Sequence, residues 1–304
     1  MTRKRFIEKA AGAFGFLLAD SVFAQAGIEN DLLAVGQRET DCVTPEIYRR
    51  YLQDGKTGGF AALEKLEDGF EKVLSETETV RVDEIPAVWL VYNMGVVVKT
   101  RESLFAIDLV HRRARELAPR LDFALVTHNH GDHHDSELYR AMNASGKTVV
   151  NNFIDNYGAA DWTKGGGCWY EHGGYMRGEK VFRIKDVEIR TSLTDHNDYL
   201  VDYTTAFEIR VGSWRMYHTG DCSNVAKLNP VWGSPDLWVV FPGCGIDLSA
   251  GVRKIRPKRL AFGHLWELAH ATGRLTAPSV RQSLNVAAEA CGSVTVPLWG
   301  DRIV

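Results

Sequence analysis

Apolar residues recur along the chain with two different spacings, and the first, of three to four residues, predicts helices. Between residues 60 and 74 they fall at positions 60, 63, 66, 70, 73 and 74, which is the spacing of an amphipathic helix. Residues 46–53 form a second helical run, and Pro45 stands directly before it, a position that suits the start of a helix. Two helices are therefore predicted near the N-terminus, packed on the outside of the domain.

From residue 80 the pattern changes to short apolar runs typical of strands, with helical runs between them. Strands are predicted at 87–92, 94–99, 104–108, 123–126, 148–151, 181–184, 187–191, 205–211, 215–218, 237–241, 259–262 and 293–298. Helices are predicted at 111–117, 136–143 and 276–290, and Arg112, Arg113 and Arg115 are interpreted as the solvated face of the first. This alternation indicates an α/β fold, a sheet with helices on its outer side.

Composition and charge narrow the class of protein. The 304 residues are 45% hydrophobic with a net charge of −3, which fits one α/β domain with a modest appendage. A nucleic-acid binder that acts through bulk positive charge is excluded, and nothing supports a transmembrane protein. We divide the chain into an export signal at 1–26, a helical N-terminal decoration at 27–80 that could contact a second copy or line the site, and a main domain at 81–304.

Residues 1–26 have the three parts of an export signal. A basic stretch at 2–9 precedes an apolar segment at 10–19 that is too short to span a bilayer, and Ala24-Gln25-Ala26 has the small residues of a cleavage site. The front resembles the twin-arginine pattern with Lys4 in place of the second arginine. The signal predicts a periplasmic or secreted protein. No cysteine follows the apolar segment, so no membrane anchor is expected.

One stretch concentrates metal-binding side chains. The apolar run at 123–126 leads into His128, His130, Asp132 and His133, with Gly131 between them. On extended backbone, residues two apart project the same way, so His128 and His130 can meet one ion. Asp132 and His133 are expected at the start of the next helix, facing a second ion about 3.5–4 Å away. The alternative, a solvated histidine-rich loop, does not account for candidate ligands elsewhere, namely Asp108, His196, Asp221 and His264.

These residues carry a resemblance to a known family. The pattern His128-x-His130-x-Asp132-His133 resembles the signature of the metallo-β-lactamase fold superfamily. The resemblance extends over most of the chain, since the remaining motifs follow in order, each closing an apolar run: Asp108 after 104–107, His196 in Leu193-Thr194-Asp195-His196, Asp221 in His218-Thr219-Gly220-Asp221, and His264 in Leu260-Ala261-Phe262-Gly263-His264. It implies a four-layer αββα sandwich.

The same resemblance implies a set of ligands. His128, His130 and His196 would bind one divalent metal ion, Asp132, His133 and His264 would bind a second, and Asp221 would bridge them. Zn²⁺ is the preferred ion, with Mn²⁺ or Fe²⁺ as alternatives. Asp108 would accept hydrogen bonds that fix the loop holding the ligands, or would only cap a turn. Cys222, one of five cysteines, follows Asp221 but is not assigned as a ligand.

Two ions that share a water lower its pKa toward 7 and leave a hydroxide poised for attack, so the expected reaction is hydrolysis. Asp132 could also orient the hydroxide. A donor must protonate the leaving group, and we rank His218 first, then His134, then Tyr170. The competing interpretations are a backbone-bonded strand residue for His218 and a hydrogen-bonding support for the ligands for His134.

Residues 152–180 are glycine-rich and interleaved with large aromatic side chains, which suits a loop that borders a pocket. Trp162, Trp169 and Tyr170 are its candidate substrate contacts. Such a segment is longer than an ordinary connection of about 4–6 residues.

Within the superfamily, the carboxylate at 221 and the long gap before His196 resemble the branch that contains ascorbate-phosphate lactonase. This resemblance implies a small-molecule substrate such as a phosphodiester, a lactone or a related ester. Two alternatives stay open. A mononuclear-iron oxidoreductase similar to the persulfide dioxygenases would need only His128, His196 and Asp221, and a binding protein would use the metal without turnover.

Overall fold

The computed structural model describes residues 36–151, 179–198, 200–270 and 275–304. The proposed export signal and the candidate substrate contacts Trp162, Trp169 and Tyr170 lie outside the described residues. Within them, twelve strands form two sheets.

The first sheet has five strands, which lie side by side in chain order. They are β1 (Ala87–Tyr92), β2 (Gly95–Lys99), β3 (Leu104–Ile107), β4 (Phe123–Leu125) and β5 (Thr148–Val150). The pairs β1–β2 and β2–β3 are antiparallel, whereas β3–β4 and β4–β5 are parallel.

The second sheet has seven strands, which also lie in chain order. They are β6 (Lys180–Ile184), β7 (Val187–Thr194), β8 (Thr204–Val211), β9 (Trp214–His218), β10 (Leu237–Val240), β11 (Arg259–Phe262) and β12 (Val294–Thr295). Strands β6 to β9 pair antiparallel and strands β9 to β12 pair parallel.

Helices cover the outer face of each sheet. On the first sheet lie α1 (Pro45–Asp54), α2 (Ala61–Thr79), a 3₁₀ turn (Ala114–Glu116) and α3 (Ser136–Ala144), and on the second lie a 3₁₀ turn (Val225–Lys227), α4 (Leu248–Ile255) and α5 (Ala277–Ala288). Residues 36–41 are also helical. Side chains of Thr44, Asp135, Asp247 and Thr276 accept hydrogen bonds from backbone N–H groups at four helix starts.

Alternating side chains along the strands separate three apolar cores. Phe105 and Ile107 point toward the second sheet, while Leu104 and Ala106, which alternate with them along β3, point toward the helices. The rings of Phe105 and Phe123 lie in register on neighbouring strands and stack at 4.5 Å. One core therefore fills the space between the sheets and one lies under each helical layer, so the predicted αββα sandwich is confirmed.

The N-terminal helices are built into this architecture. Tyr51 of α1 and Phe70 of α2 are buried in the same core as the outer face of β1. The His111 ring stacks on Phe70 at 4.0 Å, and Tyr48 stacks on Tyr92 at 5.6 Å. The two helices form part of the outer layer on the first sheet, as predicted for their position.

The helix predicted at 111–117 is wrong, since the segment contains only a 3₁₀ turn, Ala114–Glu116. The His111 ring accepts a hydrogen bond from the N–H of Arg113, which competes with a helical start. Arg112 and Arg113 are only partly solvated. Their side chains are 27% and 23% exposed and form ion pairs with Glu67 of α2. Only Arg115 is mostly exposed.

Two differences lie near the C-terminus. Helix α4 was not predicted, although Asp247 caps it and Leu248, Val252 and Ile255 have helical spacing. The last strand is two residues long instead of six, and Pro297 beyond it has no N–H for a ladder.

The described cysteines, at positions 42, 222, 244 and 291, form no disulfide with one another. Among the described helices, none has the length and apolar character needed to cross a membrane.

Candidate metal centre

The candidate ligands meet because several strands end at the same edge of the sandwich. Strands β3 and β4 are parallel, and β7, β9 and β11 share one direction. Asp108, His128, His196, Asp221 and His264 lie just beyond these five strands. The N–H of Thr205 donates to the carbonyl oxygen of Thr127 at 2.8 Å and joins the edges of the two sheets beneath them.

The first group of donors consists of His128, His130 and His196, whose nearest ring nitrogens all lie within 4.8 Å of one another. His128 Nε2 and His130 Nδ1 are 3.1 Å apart. The ring centroids of His128 and His130 lie 5.1 and 4.8 Å from that of His196. His128 is fully buried, whereas the His196 side chain is 19% exposed, so this group is open on one side.

The second group consists of Asp132, His133 and His264, which are buried. His264 Nε2 lies 2.8 Å from Asp132 Oδ2, and His133 Nε2 lies 3.7 Å from the same oxygen. Asp132 and His133 do not stand at the start of a helix as expected. They lie in a turn, where the N–H of His133 donates to the carbonyl oxygen of His130, and α3 begins at Ser136.

Asp221 lies between the two groups and is 4% exposed. Its Oδ1 is 3.3 Å from His133 Nε2, and its Oδ2 is 3.6 Å from His196 Nε2 and 3.7 Å from His264 Nε2. The preceding Gly220 has φ +51°, and a Cβ there would come within 2.8 Å of the Thr127 Cβ. Only glycine therefore lets β9 turn Asp221 into the cluster.

These donors fit a metal. His133 Nε2, His196 Nε2 and Asp221 Oδ1 are buried and have no hydrogen-bond partner among the described residues. Buried polar atoms without a partner are costly, and all three lie where ring nitrogens and carboxylate oxygens converge. A divalent cation would supply the missing partner, since imidazole and carboxylate are its common ligands.

Asp108 supports the loop that carries most of the ligands. It is fully buried, and its carboxylate accepts hydrogen bonds from the Thr127 N–H and hydroxyl, both at 2.7 Å. Asp108 Oδ2 also lies 2.9 Å from His133 Nδ1. A proton on Nδ1 leaves the lone pair of Nε2 facing the cluster.

The charges in the cluster divide the histidines into two kinds. Burial lowers the pKa of His128, His130 and His196. Burial also opposes a charge on His133 and His264, but the carboxylates of Asp221 and Asp132 outweigh it and raise the pKa of both. A histidine must be neutral to bind a metal, so a cation has to displace those protons.

The structure does not support His218 as a proton donor. The residue is fully buried, its Nε2 lies 2.8 Å from the carbonyl oxygen of Met94, and its Nδ1 faces the N–H of Gly220. His134 is half-buried, and its ring stacks on Tyr139 of α3. Cys222 points its thiol toward the carbonyl of Asn224. Burial raises the pKa of Cys222 to about 11, which disfavours the thiolate that binds metals.

Sequence reasoning missed the residues that connect the ligand loops. Asp195 receives hydrogen bonds from Asn224 Nδ2 at 2.8 Å and Lys227 Nζ at 2.6 Å, so it ties the loop of His196 to the loop of Asp221. The buried Glu267 accepts from the N–H groups of Ala269 and His270, at 2.5 and 2.8 Å, which shapes the loop after His264. The contacts of Asp195 join residues 29 and 32 positions apart, so no local pattern in the sequence reveals them.

Tyr203 was missed as well. Its ring lies 5.5 Å from that of His130 and 6.2 Å from that of His196, and its hydroxyl donates to Asn129 Oδ1. Tyr203 is half-buried and borders the open side of the first group. The only signal in the sequence was its position seven residues after His196.

No family model and no curated protein matches this sequence. The fold is similar to that of a possible metal-dependent hydrolase from Veillonella parvula DSM 2008, with a TM-score of 0.55 and 12% identity over 73% of this chain and 99% of that one. YhfI, a metallo-β-lactamase fold protein from Bacillus subtilis, has a TM-score of 0.55 and 13% identity, and the match covers 72% of this chain and 100% of that one. Igni18, a metallo hydrolase from Ignicoccus hospitalis, has a TM-score of 0.53 and 16% identity, and the match covers 72% of this chain and 97% of that one.

These similarities define the class of fold: the chain has the metallo-β-lactamase fold. At such identities they establish architecture and not activity. The comparisons do not support the narrower resemblance to the ascorbate-phosphate lactonase branch.

Proposed function

We propose that the protein is a metal-dependent hydrolase whose centre holds two divalent cations. The observation that carries the proposal is the position of Asp221, whose carboxylate oxygens lie 3.3 Å from His133 Nε2 and 3.6 Å from His196 Nε2. One carboxylate thus faces both groups of donors, as a shared ligand must. Two of the similar solved structures are described as hydrolases, which supports the proposal.

His128, His130 and His196 would hold one cation, Asp132, His133 and His264 the other, with Asp221 between them. When bound, two such cations lower the pKa of a shared water and polarise the carbonyl or phosphoryl oxygen of a substrate. The mixture of imidazole and carboxylate donors suits Zn²⁺, with Mn²⁺ or Fe²⁺ as alternatives.

The protein's own residues determine how substrate reaches the centre. His128, His133 and Asp221 are buried, whereas His130 and His196 are partly exposed. Substrate therefore approaches from the side of the last two, where the Tyr203 ring supplies a flat contact surface. Asp132 Oδ2 already accepts from Asn93 and faces His264, which leaves Oδ1 to orient a water.

The substrate we propose is a small molecule with a hydrolysable ester, such as a phosphodiester or a lactone. We further propose that residues 1–26 direct export, so that the enzyme acts in the periplasm or outside the cell.

The mononuclear-iron alternative needs only His128, His196 and Asp221. It leaves the convergence of Asp132 and His264, 2.8 Å apart, without a purpose. A binding protein remains the other alternative, and the same experiment separates all three.

The experiment measures metal content in protein purified without added metal, then hydrolysis of chromogenic esters, lactones and phosphodiesters with and without chelator. We expect two ions per chain and hydrolysis that chelator abolishes. His128→Ala and Asp221→Ala should abolish turnover and lower metal content while the fold is retained. Asp236→Ala is the control, because this carboxylate pairs with Lys258 at the opposite end of β10.

One iron per chain with no hydrolysis would favour the oxidoreductase. Two bound ions with no turnover of any substrate in the panel would favour a binding protein. Full activity in His128→Ala would refute the assignment of that ligand.

A further inference from the structure

The turn between β1 and β2 lies against the second group of donors. Asn93 in this turn is 2% exposed and has φ 49°, a left-handed conformation that asparagine tolerates better than most residues. The backbone alone could therefore explain an asparagine here. Its side chain indicates a second role.

The Asn93 amide holds a candidate ligand in place. Nδ2 donates to Asp132 Oδ2 at 3.1 Å, the same oxygen that faces His264 Nε2 at 2.8 Å. A carboxylate can only accept, so the amide must turn its NH₂ group toward Asp132. This contact fixes the orientation of the Asp132 carboxylate beside His264.

The backbone of Asn93 holds the second candidate ligand of the group. Its carbonyl oxygen accepts from the N–H of His264 at 3.0 Å, and His264 has φ 60°. The chain before His264 is pressed against this turn, since a Cβ at Gly263 would clash with the Met94 sulfur and lie 3.1 Å from the Asn93 oxygen. Asn93 thus connects a ligand from each sheet.

The oxygen of the Asn93 amide gains no hydrogen bond within the described part of the chain. Asn93 Oδ1 is buried and has no hydrogen-bond partner among the described residues. Burying a polar atom without a partner is unfavourable, so an asparagine is kept here at a cost. The contact that it gains is the one with Asp132.

We propose that Asn93 is a positioning residue that forms the second cation position by fixing Asp132 against His264. The inference rests on the proposed dinuclear centre and concerns how that centre comes to hold its second ion. The direct contacts of Asn93 described above involve Asp132 and His264, both of the second group. Loss of the amide should therefore affect the two ions unequally.

Asn93→Gly tests the role, because glycine keeps the left-handed backbone and removes only the amide. Titration of the chelator-treated protein with Zn²⁺ should show one association unchanged and the other weakened by about 10- to 100-fold, the usual effect of losing a group that supports a ligand. Titration with Co²⁺ should show the same selective loss in the visible spectrum.

Lys185→Gly is the matched control. Lys185 has φ 51° in the turn between β6 and β7 and donates to the Asp122 carboxylate at 2.7 Å, so the variant removes the same kind of contact away from the centre. Both of its metal affinities should equal those of the wild type. If Asn93→Gly does not fold, Asn93→Asp keeps the tolerance for left-handed backbone and replaces the NH₂ donor by an oxygen that cannot donate to Asp132.

Wild-type affinities for both ions in Asn93→Gly would overturn the inference, and so would an equal loss of both with a lowered melting temperature. Selective weakening in a protein that hydrolyses nothing would keep the positioning role and refute the proposed hydrolase. A wild-type protein that binds a single ion would overturn the role together with the dinuclear centre.

Discussion

Asp108→Asn separates a structural cap from a residue that prepares a metal ligand. Asparagine has nearly the same shape and tolerates φ 50° at this position. It can still accept from the Thr127 N–H. In the wild type Asp108 Oδ2 lies 2.9 Å from His133 Nδ1, and in the variant the NH₂ group would take the place of that oxygen. Two donors cannot share that contact, so His133 must place its proton on Nε2 and lose the lone pair that faces the cluster.

The expected losses of metal affinity and stability in Asp108→Asn follow from these contacts. Asp108 and His133 are both fully buried, so solvent does not screen the bond, and a hydrogen bond to a charged group contributes about 1.5–3 kcal/mol. Loss of a group that orients a metal-bound histidine lowers metal affinity by about 10- to 100-fold, which corresponds to about 1.4–2.8 kcal/mol. We therefore expect Asp108→Asn to weaken Zn²⁺ binding by that factor and to destabilise the protein by a similar energy.

The assay combines calorimetric titration with Zn²⁺ and urea unfolding of the chelator-treated protein. Asp122→Asn is the control, since Asp122 binds the Leu104 N–H at 2.9 Å and the exposed Lys185 at 2.7 Å, contacts worth about 0–1 kcal/mol when solvated. Unchanged Zn²⁺ affinity in Asp108→Asn, with stability alone reduced, would show that Asp108 only caps a turn.

Three further predictions concern the same edge of the sandwich. Because the carboxylates raise the pKa of His133 and His264 above the ordinary value, these rings keep their protons as the pH rises through about 6.5 and lose them only at their higher pKa. Zn²⁺ binding at pH 7 should release about 1–2 protons, measured by calorimetry in buffers of different ionisation enthalpy, and zero release would contradict this. Tyr203→Leu, which removes the flat ring, should raise KM or lower kcat for a cleaved substrate by about tenfold with metal content unchanged, and a loss of metal would show a structural role instead. Gly220→Ala should lower the free energy of unfolding by about 1–3 kcal/mol through overpacking, in addition to the loss in Gly212→Ala. Gly212 is the control because it also has a positive φ, +58°, but has open space around it. Equal urea midpoints for the two variants would refute the clash.

Much of the fold follows from local pattern. Continuous apolar runs such as Leu104 to Ile107 reflect burial on both faces of a sheet, and such runs located nearly every strand. Helix α4 was missed because it is a single short segment of eight residues. The segment at 111–117 was assigned to a helix because its pattern does not show that the His111 ring bonds the backbone at Arg113.

The candidate ligands were named from the resemblance of their motifs to a known family, and because each motif follows a strand they were expected to lie together at one edge of the sheets. What the tertiary structure alone decided is how those ligands are held and which side is open. Asn93 meets Asp132 across 39 residues, Asp195 meets Lys227 across 32, and His218 is committed to the Met94 carbonyl across 124. Hydrogen bonds between groups so far apart in the chain depend on how the two sheets pack, and local sequence patterns do not predict that packing.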